Sequence, residues 1–437
     1  MMTAEKPIRS AILWASFAVC LLAHATYLLL DHDYYSADTS SYLVPAENLL
    51  HGHGFVDALY HPEVRRTPGY PLILALFEIP PLKLDYLVFV QHALCVLLGI
   101  AMTSIVLQLT NDSAAAIVAA LAFSLDLATI RIANLLLTEI TATILIALTA
   151  WTIYRAITTP DGIMYAVTAG ILGGCTVLVR PVAILYFVPL SFCIVFVLRK
   201  RALRILTVFV LSFLLLPILW IARNRVEAGY PGLSVISSED LLFYRAAGAL
   251  AIQQPGNYSL NVEETRGLLI DQSCVEMDHI YGRDCSQLTD SERTSYFTTK
   301  GVSIILRSPL SYLRSALLGL VYTVLGGGAE ALSKITNVNP RTAKYIVLLI
   351  TIPELCLSLL GCWYWYRTNR IVCCLLAPTV AYFLITSAGA EAYSRFRVPV
   401  MPMYAMLIGG GASKVLQIFH RTKSSCIATA NPVAGGA

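Results

Sequence analysis

Residues 11–30 form a run of twenty without Lys, Arg, Asp or Glu, and that run fixes the solvent in which the chain folds. A helix rises about 1.5 Å per residue, so about 20 apolar residues cross a hydrocarbon layer roughly 30 Å thick. Further apolar stretches follow at 86–109, 114–129, 139–154, 164–179, 182–198, 205–221, 345–366, 371–387 and 398–418. In lipid no water satisfies backbone N–H and C=O groups, so each such segment must be helical. The sequence therefore predicts an all-α polytopic membrane protein with about ten transmembrane helices. Composition agrees: 57% of the 437 residues are hydrophobic and 13% charged, against roughly 25% charged in an ordinary soluble domain. Mean hydropathy is +0.68. A soluble fold is excluded.

Lys6 and Arg9 precede the first stretch as in a signal peptide, but no small-residue cleavage site ends it and many apolar segments follow, so an uncleaved helix with a cytoplasmic N-terminus is expected. Placing Arg155, the basic run 199–204, the turn 367–370 and the tail 421–423 inside satisfies the positive-inside rule with both termini cytoplasmic. The chain then divides into a membrane core, 1–222, carrying a first outer loop at 31–85; an extracytoplasmic loop, 223–300; C-terminal membrane helices, 301–423; and a small-residue tail, 424–437, expected to be disordered. Segment 304–328 contains Arg307, Pro309 and Arg314 and ends in three glycines. A crossing there would reverse every later helix, so an interfacial or re-entrant element is expected. Cys274 and Cys285 both fall in the second outer region, where a bridge can form in an oxidising compartment. The net charge of +4 is carried by cytoplasmic loops, so no nucleic-acid partner is expected.

The chemistry gathers in the outer loops. A carboxylate at the bilayer surface, partly desolvated, can have a raised pKa and act as general base towards a hydroxyl or amine; Asp38 is the candidate. The alternative at that position is a helix N-cap, with the helix starting there or at Pro45 and stopping at Gly52. His32, His51, His53 and His61, with Asp31, Asp33 and Asp57, are either ligands for Mn or Zn or parts of a solvated loop. Glu139, at the edge of an apolar stretch, is either a site residue or a first-turn acid favoured by the helix dipole. Arg66, Arg131, Arg180, Arg223, Arg395 and Arg397 map to the outer face, against the positive-inside rule; they are phosphate ligands or headgroup anchors. The turn Pro68-Gly69-Tyr70-Pro71 reads as a scaffold for the loop.

The pattern Asp38-x3-Tyr42-x3-Ala46-x2-Leu49-Leu50-x-Gly52-x-Gly54-Phe55, followed by Arg66-Thr67-Pro68-Gly69-Tyr70-Pro71-Leu72, resembles the first-loop signature of the GT-C membrane glycosyltransferases. It is most similar to the branch of protein O-mannosyltransferases and lipid A aminoarabinose transferases. Leu137-Thr138-Glu139, Val179-Arg180-Pro181, Trp220 to Asn224, and Glu391 through Arg395-Phe396-Arg397-Val398-Pro399 extend the likeness along nearly the whole chain. The resemblance implies a GT-C fold with surface helices in the first outer loop. It implies inverting transfer of a sugar from a polyprenyl-phosphate donor to a lipid, glycan or protein acceptor, on the outer face of a bacterial inner membrane. Asp38 and Glu139 would be catalytic; Arg66, Arg180, Arg395 and Arg397 would bind the donor phosphate; Tyr42 and Tyr70 would line the substrate site. A divalent cation, if one is used, would take Asp38 and Glu139 as ligands. The chain departs from the family in having Thr39 where an acidic neighbour is usual in the mannosyltransferases, and Glu139 where the aminoarabinose branch has Asp. The rival readings are a transporter or flippase of a lipid-linked substrate, which should show inverted repeats and midplane charges, and a non-catalytic family member.

Overall fold

The computed structural model describes residues 2–430, with side chains from 7 to 419. Helices account for the described elements: α1 (Met2–Leu30), α2 (Thr39–Leu50), α3 (Gly69–Glu78), α4 (Leu84–Thr110), α5 (Ser113–Ser124), α6 (Leu127–Ala133), α7 (Glu139–Thr158), α8 (Ile163–Val179), α9 (Phe187–Leu198), α10 (Ala202–Ala228), α11 (Ile236–Asp240), α12 (Ala247–Ala251), α13 (Tyr258–Tyr281), α14 (Asp290–Arg307), α15 (Pro309–Leu325), α16 (Ala329–Thr336), α17 (Pro340–Thr368), α18 (Arg370–Thr386) and α19 (Met401–Ala430). Among the described residues the only β pairing is an isolated bridge between Val56 and Pro62.

Local chemistry explains the breaks. Asn111, left-handed at φ 53°, ends α4, and the Asp112 carboxylate then caps α5 by accepting from the Ala114 and Ala115 amides. Asp126 caps α6 through the Thr129 amide at 2.9 Å. Gly229, at φ +65°, stops α10. Thr289 and Glu292 form a reciprocal capping box at the start of α14.

By length and composition, five segments can cross a membrane, or up to seven if each bent helix pair is one span. Counted this way, with Pro181–Ala228 taken as one segment, the described helices give fewer spans than the ten expected. Two of the expected spans, α8 and α18, are shorter apolar helices of 17 residues each. Two others merge in Pro181–Ala228, a 48-residue segment. At about 1.5 Å per residue that is more than twice a bilayer core; the break at Arg199–Arg201, where Arg199 has φ 52°, divides it, and α9 packs on α10. In 304–328 the expected irregular element is a bend of 101° between α14 and α15. The tail expectation falls partly outside the described residues: α19 runs to Ala430, and 431–437 are not described.

The main apolar core lies between α5, α7, α8, α9, α10, α17, α18 and α19. A second core clamps the first loop: Tyr42, Ala46, Tyr70 and Leu74, from α2 and α3, pack against α4, α6 and the start of α7. A third gathers α12, α13 and α14 with the segment 241–246, and there Cys274 and Cys285 are bridged. The Pro68–Pro71 motif opens α3 rather than forming a free turn. Gly69 is required by close approach: a Cβ there would lie 2.6 Å from the Leu178 carbonyl oxygen and 2.8 Å from Val179 Cγ2. Since α8 ends at Val179 and presents Arg180, this contact sets where that arginine stands. Gly69→Ala is expected to lower stability by about 1–3 kcal/mol, read as a lower thermal midpoint in detergent. An unchanged midpoint would show that α3 does not bear on α8.

Candidate active site at the ends of the helices

Asp38 stands at the N-cap position of α2, but its side chain makes no capping bond. Its two oxygens go instead to arginines distant in sequence: Oδ1 accepts from Arg66 Nη2 at 3.2 Å and Oδ2 from Arg395 Nη1 at 2.7 Å. Glu139, the first residue of α7, is fully buried. Its Oε1 meets Arg180 Nη1 at 2.5 Å and also accepts from Arg395 Nε, while Oε2 has no partner. Arg395 therefore bridges the two carboxylates. Arg66 is held further by donating to Ser41 Oγ at 2.8 Å and the Tyr42 hydroxyl at 2.9 Å, with its guanidinium 4.3 Å from the centre of the Tyr42 ring. Arg180 also donates to Thr138 Oγ1 at 3.1 Å.

Three guanidiniums thus face two carboxylates, which leaves the cluster with an excess of positive charge. Asp38, Arg66, Arg180 and Arg395 open onto a cavity of about 620 Å³; Tyr42 lies on its wall, and Glu139 is behind it. Rigid, desolvated guanidiniums of this kind suit a phosphate oxygen array, which they can bind bidentately. A second cavity, of about 730 Å³, shares Val262, Glu263, Ala390, Glu391, Tyr393 and Arg395 with the first.

Several expectations change. Asp38 does not have a raised pKa: burial pushes it up, but Arg395 and Arg66 more than offset this and leave it below the usual carboxylate range. The helix it begins runs through Pro45 without restarting there. Arg397 is not at the cavity. It is 3% exposed and spent on Asp126, with a further bond of 2.7 Å to the Val324 carbonyl. Tyr70 is buried beneath Tyr42, edge-on at 5.5 Å, and its hydroxyl bonds Gln91; it supports the site without lining it. Arg131 pairs with Glu330, and Arg223 pins the first loop through the Phe55 and Glu63 carbonyls at 2.7 Å each.

The metal expectations find no support in the donor sets. Among the described residues the histidine-rich loop brings no three ligand atoms together; the one such group is Cys274, Asp278 and Cys285, whose sulfurs are bonded to each other. Between Asp38 and Glu139 stands a guanidinium, with two more alongside. A divalent cation does not fit that place as arranged.

The cavity also holds groups that the sequence reading did not select: Asp240, Tyr244 and Arg245 from the second outer region, and Glu391 as an acid rather than as part of a motif. No local pattern in the sequence singles them out; the π-helical stretch Leu241–Ala246 that carries Tyr244 and Arg245 is a feature of the structure.

No family model and no curated protein matches the sequence. Among solved structures, the archaeal oligosaccharyltransferase AglB from Archaeoglobus fulgidus, in complex with an inhibitory peptide and a dolichol-phosphate, superposes with a TM-score of 0.53 at 13% identity, over 98% of this chain and 52% of that one. The chain folds like a GT-C oligosaccharyltransferase. A second Archaeoglobus fulgidus oligosaccharyltransferase structure, tethered through a disulfide to an acceptor peptide with an NVT sequon, gives a TM-score of 0.47 at 14% identity over 95% of this chain and 50% of that one. This chain spans about half the length of the oligosaccharyltransferase it resembles. At 13% identity the likeness carries the GT-C architecture expected from the motifs, and no assignment to the mannosyltransferase or aminoarabinose branch.

Proposed function

We propose that this protein is an inverting membrane glycosyltransferase that moves a sugar from a polyprenyl-phosphate donor to a lipid, glycan or protein acceptor on the outer face of a bacterial inner membrane. The observation that carries this reading is the convergence of Arg66, Arg180 and Arg395 on one cavity, with Asp38 and Glu139 holding them in place. The related archaeal structure was solved with a dolichol-phosphate and a peptide, a lipid phosphate of the class proposed here.

In this mechanism the donor phosphate rests on guanidinium N–H groups that the carboxylates leave free, while Arg66 and Arg395 keep their bonds to Asp38. As the bond from the anomeric carbon to the phosphate oxygen breaks, the leaving polyprenyl phosphate gains charge, and donors already aimed at it stabilise the transition state more than the ground state. Glu139 fixes Arg180 and Arg395 from behind and, being fully buried, does not touch the sugar. Arg395 lines both cavities.

Asp38→Asn keeps the shape but removes the charge that orders Arg66 and Arg395. Transfer of label from polyprenyl-phosphate sugars in membrane vesicles is expected to fall by about 100-fold, the scale of one misplaced transition-state donor. Full activity in Asp38→Asn, or lipid flux across the bilayer without transfer in the wild type, would end this reading.

A further inference from the structure

An inverting displacement needs a proton acceptor for the attacking hydroxyl or amine, within hydrogen-bond reach and with a free lone pair. Asp38 meets this poorly, because each of its oxygens is taken by a guanidinium. The same cavity contains a second pair of carboxylates, supplied by different elements. Asp240 ends α11, and Glu391 follows α18. Glu391 Oε1 is held by Arg245 Nε at 3.3 Å, and Arg245 is itself tied to the Thr386 carbonyl at 2.6 Å; Glu391 Oε2 is buried without a partner. No hydrogen bond among the described residues reaches the Asp240 carboxylate.

Resting on the reading of the site as a glycosyl-transfer centre, we propose that Asp240, which shares its cavity with Glu391, is the proton acceptor for the attacking acceptor group. Asp240 leads directly into the π-helical turn Leu241–Ala246, which supplies Leu241, Tyr244 and Arg245 to the same cavity. Such turns are rare and occur often at functional sites, since they re-aim side chains at the cost of regular hydrogen bonding. In the step, the acceptor O–H or N–H bond breaks and its proton passes to Asp240. The acceptor atom bonds to the anomeric carbon as the carbon–phosphate-oxygen bond breaks, and that electron pair leaves on the polyprenyl phosphate held by the arginines. The proton then passes to water in the open cavity.

The charged surroundings suit the task. Burial and Glu391 push the Asp240 carboxyl up to about 7, opposed by Arg245, with Glu239 and Arg66 as smaller influences; Tyr244 also lies within its field. A base is most effective when its pKa lies near the working pH. Asp240 is ionised above its pKa, so the rate should rise with pH through about 7 and level off beyond.

The test is the pH profile of transfer in membrane vesicles, from pH 5 to 9, using labelled hexosyl, pentosyl and aminopentosyl phosphoryl polyprenols as probes. The wild type is expected to show an acid limb near neutrality. Asp240→Asn is expected to lose about 100-fold or more and to lose the limb, with donor KM unchanged. Asp240→Glu should regain part of the rate with a displaced limb, which a merely structural role would not do. Glu391→Gln should move the limb to lower pH by removing a neighbouring negative charge. If Asp240→Asn keeps the rate and the limb while Asp38→Asn abolishes them, this assignment falls and the transfer reading stands. If the wild type transfers none of the probes, both fall.

Discussion

Arg395→Lys is expected to cut transfer by about 100- to 1,000-fold, the cost of removing one preorganised donor from a developing oxyanion. Arg395 reaches Asp38 with Nη1, Glu139 with Nε and the Tyr393 hydroxyl at 3.3 Å. A lysine carries the same charge as a compact point on a flexible stem, so it can pair with one carboxylate but cannot span two and still offer an edge to phosphate. The fold should largely survive, because buried Glu139 keeps Arg180 at 2.5 Å. Arg395→Ala removes the charge altogether and would confuse chemistry with stability, since breaking a buried pair costs roughly 3–5 kcal/mol. The measurement is the initial rate of labelled-sugar transfer beside the thermal midpoint in detergent. A lysine variant within about tenfold of wild type would mean that Arg395 is structural and that the phosphate lies elsewhere.

Arg397→Ala should act in the opposite way, on stability before function. The guanidinium is 3% exposed and joins Asp126, which caps α6, to the carbonyl of Val324 near the end of α15. Losing it leaves a buried carboxylate without its cation, a penalty of about 3–5 kcal/mol against a total stability of about 5–15 kcal/mol for a typical domain. Arg397→Ala is therefore expected to lower the thermal midpoint sharply and to reduce recovery of folded protein, while the folded fraction keeps its donor KM. The double variant Arg397→Met, Asp126→Leu should recover the midpoint, because replacing both members of a buried pair with apolar groups is often neutral or better. A normal midpoint with a greatly raised donor KM in Arg397→Ala would restore the phosphate-binding role expected from the motif.

Arg395 and Arg397 show why part of the site was legible and part was not. Both lie in one motif and carry the same sequence signal, a cation on the face where the positive-inside rule disfavours it. The segment Ser394–Val400 is a 3₁₀ helix. With three residues per turn, side chains two positions apart point roughly 120° away from each other. One arginine consequently enters the cavity and the other enters the protein. Asp38 was equally undecided by local sequence, since a carboxylate before a helix is most simply a cap. Its real partners are 28 and 357 positions away.

Asp240 is illegible in the sequence for a different reason. It sits in an outer region with eleven acidic residues, where one more acid reads as solvated surface. Its environment arises from packing of α11 and the π turn on α14 and from the approach of Glu391 after α18.

The sequence by itself determined the solvent, the helical class and the polar loops between the apolar stretches, because hydropathy is a local sum that needs no partner. It also pointed to Glu139, Arg66, Arg180 and Arg395 through charges placed where lipid or the positive-inside rule disfavours them, and to Asp38 through the resemblance of its loop. Only the tertiary structure decided which carboxylates are spent on guanidiniums and which are left free. Basicity and phosphate affinity depend on distances between residues from separate elements, and those distances are set by how the helices pack.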